Sequence, residues 1–268
     1  MHHMSLLHAV LLGIVEGVTE FLPVSSTGHL TVVERALGYR TDDPGITAFT
    51  AVIQTGAVLA VFGFLRDDVV RLARGRDLPF LKAIVVGSIP IGLVGLAFKD
   101  QIETSLRSLW LVAVALIGWS AVMAYADRRA SGDRGERDVG LRDTLLVGLA
   151  QCVALIPGVS RSGATMSAGL LRGLDRVTVT RLSFFLAIPA LLAAGALEGL
   201  TKAPEISDGV GWGPTMVATA VSFLVAYASV AWLLRFVAGH SYTGFIVYRV
   251  LAGLALLGLL AGGVVSPT

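Results

Sequence analysis

The chain has 268 residues, 54% of them hydrophobic and only 15% charged, with a formal net charge of +2. Its mean hydropathy is +0.76. A soluble domain carries about 25% charged residues, so this surface suits a bilayer rather than water. The near-neutral charge, with no basic stripe, argues against a nucleic-acid partner, and the single cysteine, Cys152, excludes an intrachain disulfide.

In chain order, His2 and His3 before Met4 read as an expression remnant or an upstream start. The first apolar stretch, 5–21, makes a poor signal peptide: it lacks a cationic leader and contains Glu16 and Glu20. It runs directly into FLPVSSTGH, residues 21–29, and a short apolar piece ending near Gly38. A second stretch, 143–156, runs in the same way into IPGVSRSGAT, residues 156–165, and ends near Gly173. Proline and glycine break helices, and polar side chains cannot face lipid. Each of these stretches therefore predicts a half-helix, a polar tip and a second half-helix. A spanning helix needs about 20 mostly apolar residues, and six stretches qualify: 46–65, 80–98, 108–126, 178–198, 214–234 and 244–263. The expected fold is an all-α integral membrane protein with six transmembrane helices and two re-entrant helical hairpins.

The two broken segments are copies of each other at a constant offset of 135. Gly13 matches Gly148, Val18 matches Val153, Val24 matches Val159, Ser25 matches Ser160, Gly28 matches Gly163 and Gly38 matches Gly173. Phe49/Phe184 and Ile53/Ile188 extend the match, and Glu16 falls opposite Gln151. The chain then reads as one membrane domain made of two units. Repeat one covers 5–126, with its hairpin at 5–38; repeat two covers 143–263, with its hairpin at 143–173; residues 127–142 are the linker. Three spans separate the hairpins, so they enter from opposite faces. That makes an inverted-topology repeat, whose broken segments meet near the midplane. Loops 66–82, 127–142, 172–181 and 235–243 hold 14 Lys/Arg against 5 in loops 35–43, 99–107 and 199–213. The positive-inside rule puts the first group in the cytoplasm and both termini outside.

Glu16 and Glu20 are spaced i, i+4 and share a helix face. Two carboxylates buried at membrane depth need a cationic partner, an arginine, a metal ion or both. A salt bridge that merely fixes helix packing is the plainer alternative. The first tip adds three hydroxyls, Ser25, Ser26 and Thr27, and the imidazole of His29. The second tip is a glycine-flanked turn opening a half-helix, a natural anion site. Arg161 supplies a fork matched to phosphate oxygens, and Ser160, Ser162 and Thr165 can donate further hydrogen bonds. Arg161 could equally neutralise Glu16 or Glu20, and the two roles are compatible. Together these groups describe phosphoryl chemistry. Arg161 and the helix start hold phosphate, Glu16 and Glu20 hold a divalent cation, a hydroxyl or water attacks, and His29 moves the proton. Gln54 is a candidate lining residue or a packing contact. Arg172, Arg176 and Arg181 read as anchors of a cytoplasmic loop, Asp127 to Asp143 as a solvated linker, and His240 as a residue without a visible partner.

EGVTEFLPVSSTGH and PGVSRSGAT resemble the two signature regions of bacterial undecaprenyl-diphosphate phosphatases, the bacitracin-resistance type. The similarity runs through AVIQTGAVLAV and SFFLAIPA and covers essentially the whole chain. The resemblance implies hydrolysis of undecaprenyl diphosphate to the monophosphate and inorganic phosphate, for reuse in cell-wall synthesis. It also implies Mg²⁺ or Ca²⁺ dependence, a bacterial plasma-membrane location and an active site opening to the outer face. The family's acidic motif falls on Glu16 and Glu20, its serine–histidine segment on Ser25, Ser26, Thr27 and His29, and its phosphate-binding segment on Ser160, Arg161 and Thr165. Ser26 is the expected nucleophile, with direct attack by water left open. The expected partners are a polyprenyl diphosphate lipid and membrane lipids, with a homodimer left open. A lipid-phosphate transporter or flippase is the main rival, because inverted repeats with broken helices also build carriers; a channel or structural subunit is more distant. Two carboxylates beside an imidazole favour hydrolysis, and function belongs to the site rather than the fold.

Overall fold

The computed structural model describes residues 4–98, 101 and 108–266. No strand occurs among them, and the helices follow the apolar stretches. They are α1 Leu6–Thr19, α2 Ser26–Ala36, α3 Pro44–Phe64, α4 Arg66–Ala73, α5 Leu78–Ala97 and α6 Leu109–Arg129. After the linker come α7 Leu141–Val153, α8 Arg161–Leu171, α9 Arg176–Thr201, α10 Ala203–Asp208, α11 Trp212–Val237 and α12 Thr243–Ala261. Six of these (α3, α5, α6, α9, α11 and α12) are long and apolar enough to cross a membrane. Their outward faces stay apolar: Leu93, Leu224 and Leu251 are each more than 60% exposed. Such a continuous oily exterior belongs in lipid.

Capping residues fix where the helices start. Asp43, Asp77 and Asp175 each accept hydrogen bonds from backbone N–H groups in the first turns of α3, α5 and α9. The α1–α2 and α7–α8 pairs share finer details. Among the described residues, Ser25 and Ser160 are the non-glycine positions with positive φ, both at 77°. Each caps the following half-helix, Ser25 accepting from Gly28 N and Ser160 from Gly163 N. α2 and α8 also end alike. Gly38 and Gly173 take φ of 85° and 79°, and Tyr39 N donates to Glu34 O as Leu174 N donates to Gly169 O. That is the six-to-one bond of a Schellman motif.

The four loops assigned together by charge meet at one end of the bundle. Arg181 reaches Asp68 at 2.7 Å, Arg176 reaches Asp127 at 2.7 Å, and Arg172 reaches Asp143 at 2.9 Å. Tyr242 N donates to Asp127 Oδ2. The opposite end gathers Met4 N on Val210 O and Arg35 Nη1 on Ser266 O. Of the loop at 99–107, all but residue 101 lies outside the described residues.

Three expectations change. Loops 66–82 and 199–213 contain the short helices α4 and α10. α4 carries Asp67 and Asp68 in its first turn and Arg71 in its last, charges that suit the helix dipole; α10 has a proline at its start. The linker is not loosely solvated. Arg134 N donates to Gly173 O and Asp175 N to Arg134 O, while the Arg134 guanidinium holds Asp143 at 2.6 Å. His240 does have partners, stacking on Phe236 with ring centroids 4.4 Å apart and placing Nδ1 3.0 Å from the Phe236 carbonyl oxygen.

Candidate active site

The first tip forms because α1 cannot continue past Pro23, which lacks an N–H and disfavours a helical residue before it. The second breaks at Pro157 for the same reason. The two tips are in direct contact. Arg161, the first residue of α8, donates from Nη2 to Glu20 Oε1 at 2.8 Å, and Ser162 Oγ donates to Leu22 O at 2.9 Å. A Cβ on Gly28 would lie 3.7 Å from Gly158 Cα.

A linear hydrogen-bonded array runs through this contact. Ser26 Oγ donates to Glu20 Oε2, and the other oxygen of Glu20 accepts from Arg161. Arg161 is held from two further directions: Nη1 donates to Ser183 O at 3.2 Å, and its carbon centre sits 5.4 Å over the Phe21 ring. Its Nε–H, although buried, has no hydrogen-bond partner among the described residues. A hydroxyl bonded to a carboxylate that a third group orients is the arrangement of an activated nucleophile.

A cavity of about 480 Å³ opens beside this array, and its polar lining includes Glu20, Ser25, Ser26, Thr27, Ser160 and Arg161, with Thr50, Gln151 and Glu198. Gln54 is part of the wall, as are the apolar residues Leu96, Leu155 and Leu197. The cavity therefore combines charged and hydroxyl groups with apolar lining.

Other candidates stand apart from this wall. Ser162 and Thr165 are wholly buried; Thr165 Oγ1 donates to Arg161 O at 2.9 Å and lies 2.7 Å from Ser183 Oγ, which braces the start of α8. His29 also points elsewhere. Its Nδ1 lies 2.7 Å from Ser25 O, and its Nε2 lies 2.6 Å from Tyr248 OH. A carbonyl only accepts, so in the neutral ring Nδ1 carries the proton and Nε2 accepts from the tyrosine hydroxyl. The imidazole thus holds the backbone of Ser25 rather than touching Glu20 or Arg161.

Glu16 is wholly buried, and among the described residues neither of its carboxylate oxygens meets an N–H or hydroxyl donor. No group of three or more acidic, imidazole or thiol side chains that could hold a metal gathers among the described residues. The chemistry of the donor set still fits a hard divalent cation. Glu16 stands one turn from Glu20, and a second carboxylate at that depth, once ionised, needs a cation beyond Arg161.

Arg249 in α12 is completely buried and was not singled out from the sequence. Its guanidinium donates to Pro23 O at 3.3 Å on the first tip and to Gly158 O at 2.9 Å and Val159 O at 3.0 Å on the second. It also reaches Ser120 Oγ and Leu116 O on α6. One side chain therefore ties both tips and a spanning helix together. The sequence signal was a lone arginine inside a spanning stretch, a residue that membranes rarely accept without a role.

These features define a class, a multi-pass membrane protein whose buried centre couples an acid–hydroxyl pair to a guanidinium. The family model for bacitracin resistance protein BacA matches residues 9–255. An undecaprenyl-diphosphatase 3 of Frankia casuarinae is 62% identical, covering 99% of this chain and all of the relative. Undecaprenyl-diphosphatases of Cutibacterium acnes and Streptomyces coelicolor are 52% and 50% identical over 98% of the chain, covering 100% and 99% of those relatives. The chain belongs to the bacitracin resistance protein BacA family.

Proposed function

We propose that the chain hydrolyses undecaprenyl diphosphate to undecaprenyl phosphate and inorganic phosphate in the bacterial plasma membrane, returning the lipid carrier to cell-wall synthesis. The observation that carries this reading is the Ser26–Glu20–Arg161 array in the lining of a cavity that also has apolar walls. The diphosphate takes the polar groups of this array and the isoprenoid chain the apolar lining. Arg161 and the N-terminus of α8 receive the terminal phosphate. As the guanidinium turns to phosphate oxygens it releases Glu20, which then accepts the Ser26 proton. Ser26 Oγ bonds to the terminal phosphorus, and the bond to the bridging oxygen breaks. Undecaprenyl phosphate leaves, and water cleaves the phosphoserine to regenerate the hydroxyl. Direct attack by a water bound in place of the Ser26 hydroxyl uses the same base. Ser25, Thr27 and Ser160 offer hydroxyls to the phosphates. A divalent cation, held by Glu16 and Glu20, would neutralise charge on the phosphate oxygens. A lipid-phosphate carrier needs the anion clamp but has no use for the Ser26–Glu20 pair.

The same proposal reads α1–α2 and α7–α8 as re-entrant hairpins of an inverted repeat, opening to opposite faces. Support comes from the ends of each pair. α1–α2 is joined by His8 Nδ1 and Tyr39 OH at 2.7 Å, at the end holding Met4 and Ser266. α7–α8 is joined by Arg172 and Asp143 at the arginine-rich end, taken as cytoplasmic by its charge. A cysteine at the exposed Ser207 should react with an impermeant maleimide on intact cells; labelling only after permeabilisation would reverse the orientation.

Purified protein with Mg²⁺ should release phosphate from undecaprenyl diphosphate, and a chelator should suppress the release. Glu20→Gln should lower kcat by about 10²–10⁴-fold. Absence of phosphate release from the unaltered protein would reject the proposal.

A further inference from the structure

Gln151 lies near the C-terminal end of α7 and is wholly buried, yet among the described residues neither polar atom of its amide has a hydrogen-bond partner. It is also part of the cavity wall, with Glu20, Ser160 and Arg161. Buried polar groups are almost always bonded, and an unmatched amide bears its whole desolvation cost. A methionine would fill the same space without that cost. An unpaired amide facing the reactive cavity therefore points to a ligand.

The neighbouring groups identify its chemistry. The Nε–H of Arg161 is likewise buried without a partner among the described residues, and α8 opens toward the same cavity with the positive end of its dipole. Gln151 brings two more N–H donors and no charge, so it adds to an anion site without competing with Arg161 for Glu20. The register between the hairpins supports this. Gln151 stands where the other hairpin carries the buried carboxyl of Glu16. The carboxylate-bearing hairpin suits a cation; the hairpin with Arg161 and a neutral amide suits an anion. A glutamate at position 151 would set a further negative charge against the phosphates.

We infer that Gln151 binds the substrate's diphosphate directly, donating from Nε2 to an oxygen of the phosphate that Arg161 holds. This rests on the reading of the cavity as a diphosphate site.

Steady-state kinetics and thermal melting of the purified full-length protein test it, with undecaprenyl diphosphate as substrate. Gln151→Met should raise KM about tenfold or more while its melting temperature holds or rises, because an unmatched polar group has been removed. Gln151→Glu should lose at least a further tenfold in kcat/KM. An unchanged KM in Gln151→Met would overturn the inference. So would a melting temperature that falls together with activity, since the amide would then serve the fold. A Gln151→Glu variant that is more active, with a lower Mg²⁺ requirement, would also overturn it by making the position a cation ligand. An unaltered protein that releases no phosphate would instead reject the diphosphate reading on which the inference rests, and is recognisable as a separate result.

Discussion

Ser26 donates to Glu20 and Glu20 accepts from Arg161, so three side chains from the two tips form one hydrogen-bonded unit. The carboxylate needs both neighbours: burial of a lone carboxylate is costly, and the guanidinium offsets it until an anion arrives. Arg249 acts at one remove, since its donors go to backbone and hydroxyl oxygens and it touches neither Glu20 nor Ser26. It is a positioning residue. Replacing it by methionine leaves the carbonyls of Pro23, Gly158 and Val159 without their donor and lets the tips drift. A displacement of about 1 Å can cost about 100-fold in rate. Arg249→Met should therefore lower kcat by about that factor with KM changed much less, in steady-state assays on protein that still elutes as a folded species. Unaltered kcat would remove Arg249 from the account. From sequence, Glu20, Ser26 and Arg161 were legible as neighbours, because each is a polar residue where lipid tolerates few. Arg249 and Tyr248 were not, because their partners are backbone oxygens and a ring far away in the chain. The same lack of partner information put His29 beside the carboxylates, although it faces Tyr248.

The helical elements owe their junctions to small residues at fixed places. Gly148 in α7 meets Gly87 in α5 so closely that a Cβ would fall 1.9 Å from the Gly87 carbonyl oxygen. Its counterpart at offset 135, Gly13 in α1, has Ala218 O of α11 at 2.5 Å from the same construction. Backbone cannot yield as a flexible side chain can, so Gly148→Val should destabilise by about 1–3 kcal/mol or more. It should lower the melting temperature in detergent, whereas Gly118→Ala, with nothing within 4 Å, should leave it equal or higher. Equal melting temperatures for Gly148→Val and the unaltered protein would contradict this packing. The matched glycines and serines were readable as a pattern, and each has a physical reason: a close approach, a positive φ or a cap. The short helices α4 and α10 were not readable, since their length sets no apolar period.

Across the whole molecule, the end holding Asp68, Asp127 and Asp143 is fastened by ion pairs. Asp143 is the hub of the fastened end. Burial pushes its carboxyl up, but hydrogen bonds from Arg134, Gly140 N and Arg172 outweigh that and hold it at about 2, below the ordinary 3.8. A depressed value means that the folded state binds the proton less readily than the unfolded chain. The stabilisation is therefore complete above pH of about 4 and is lost as pH falls toward 2. Melting temperature should drop across that window, and Asp143→Asn should flatten the drop; an identical acid profile in the variant would contradict the assignment. Six spans and the grouping of the loops were visible from hydropathy and charge. The way the linker is pinned under Arg134 was not, because alternating signs look the same whether solvated or paired.

The account turns on the two tips working as one hydrolytic centre, and a double-mutant cycle on phosphate release from undecaprenyl diphosphate tests this most directly. Glu20→Gln and Arg161→Ala should each lose most of the rate, and the double variant should be little worse than the slower single. Losses that simply multiply, or single variants with near-native rates, would show that the carboxylate and the guanidinium do not act together.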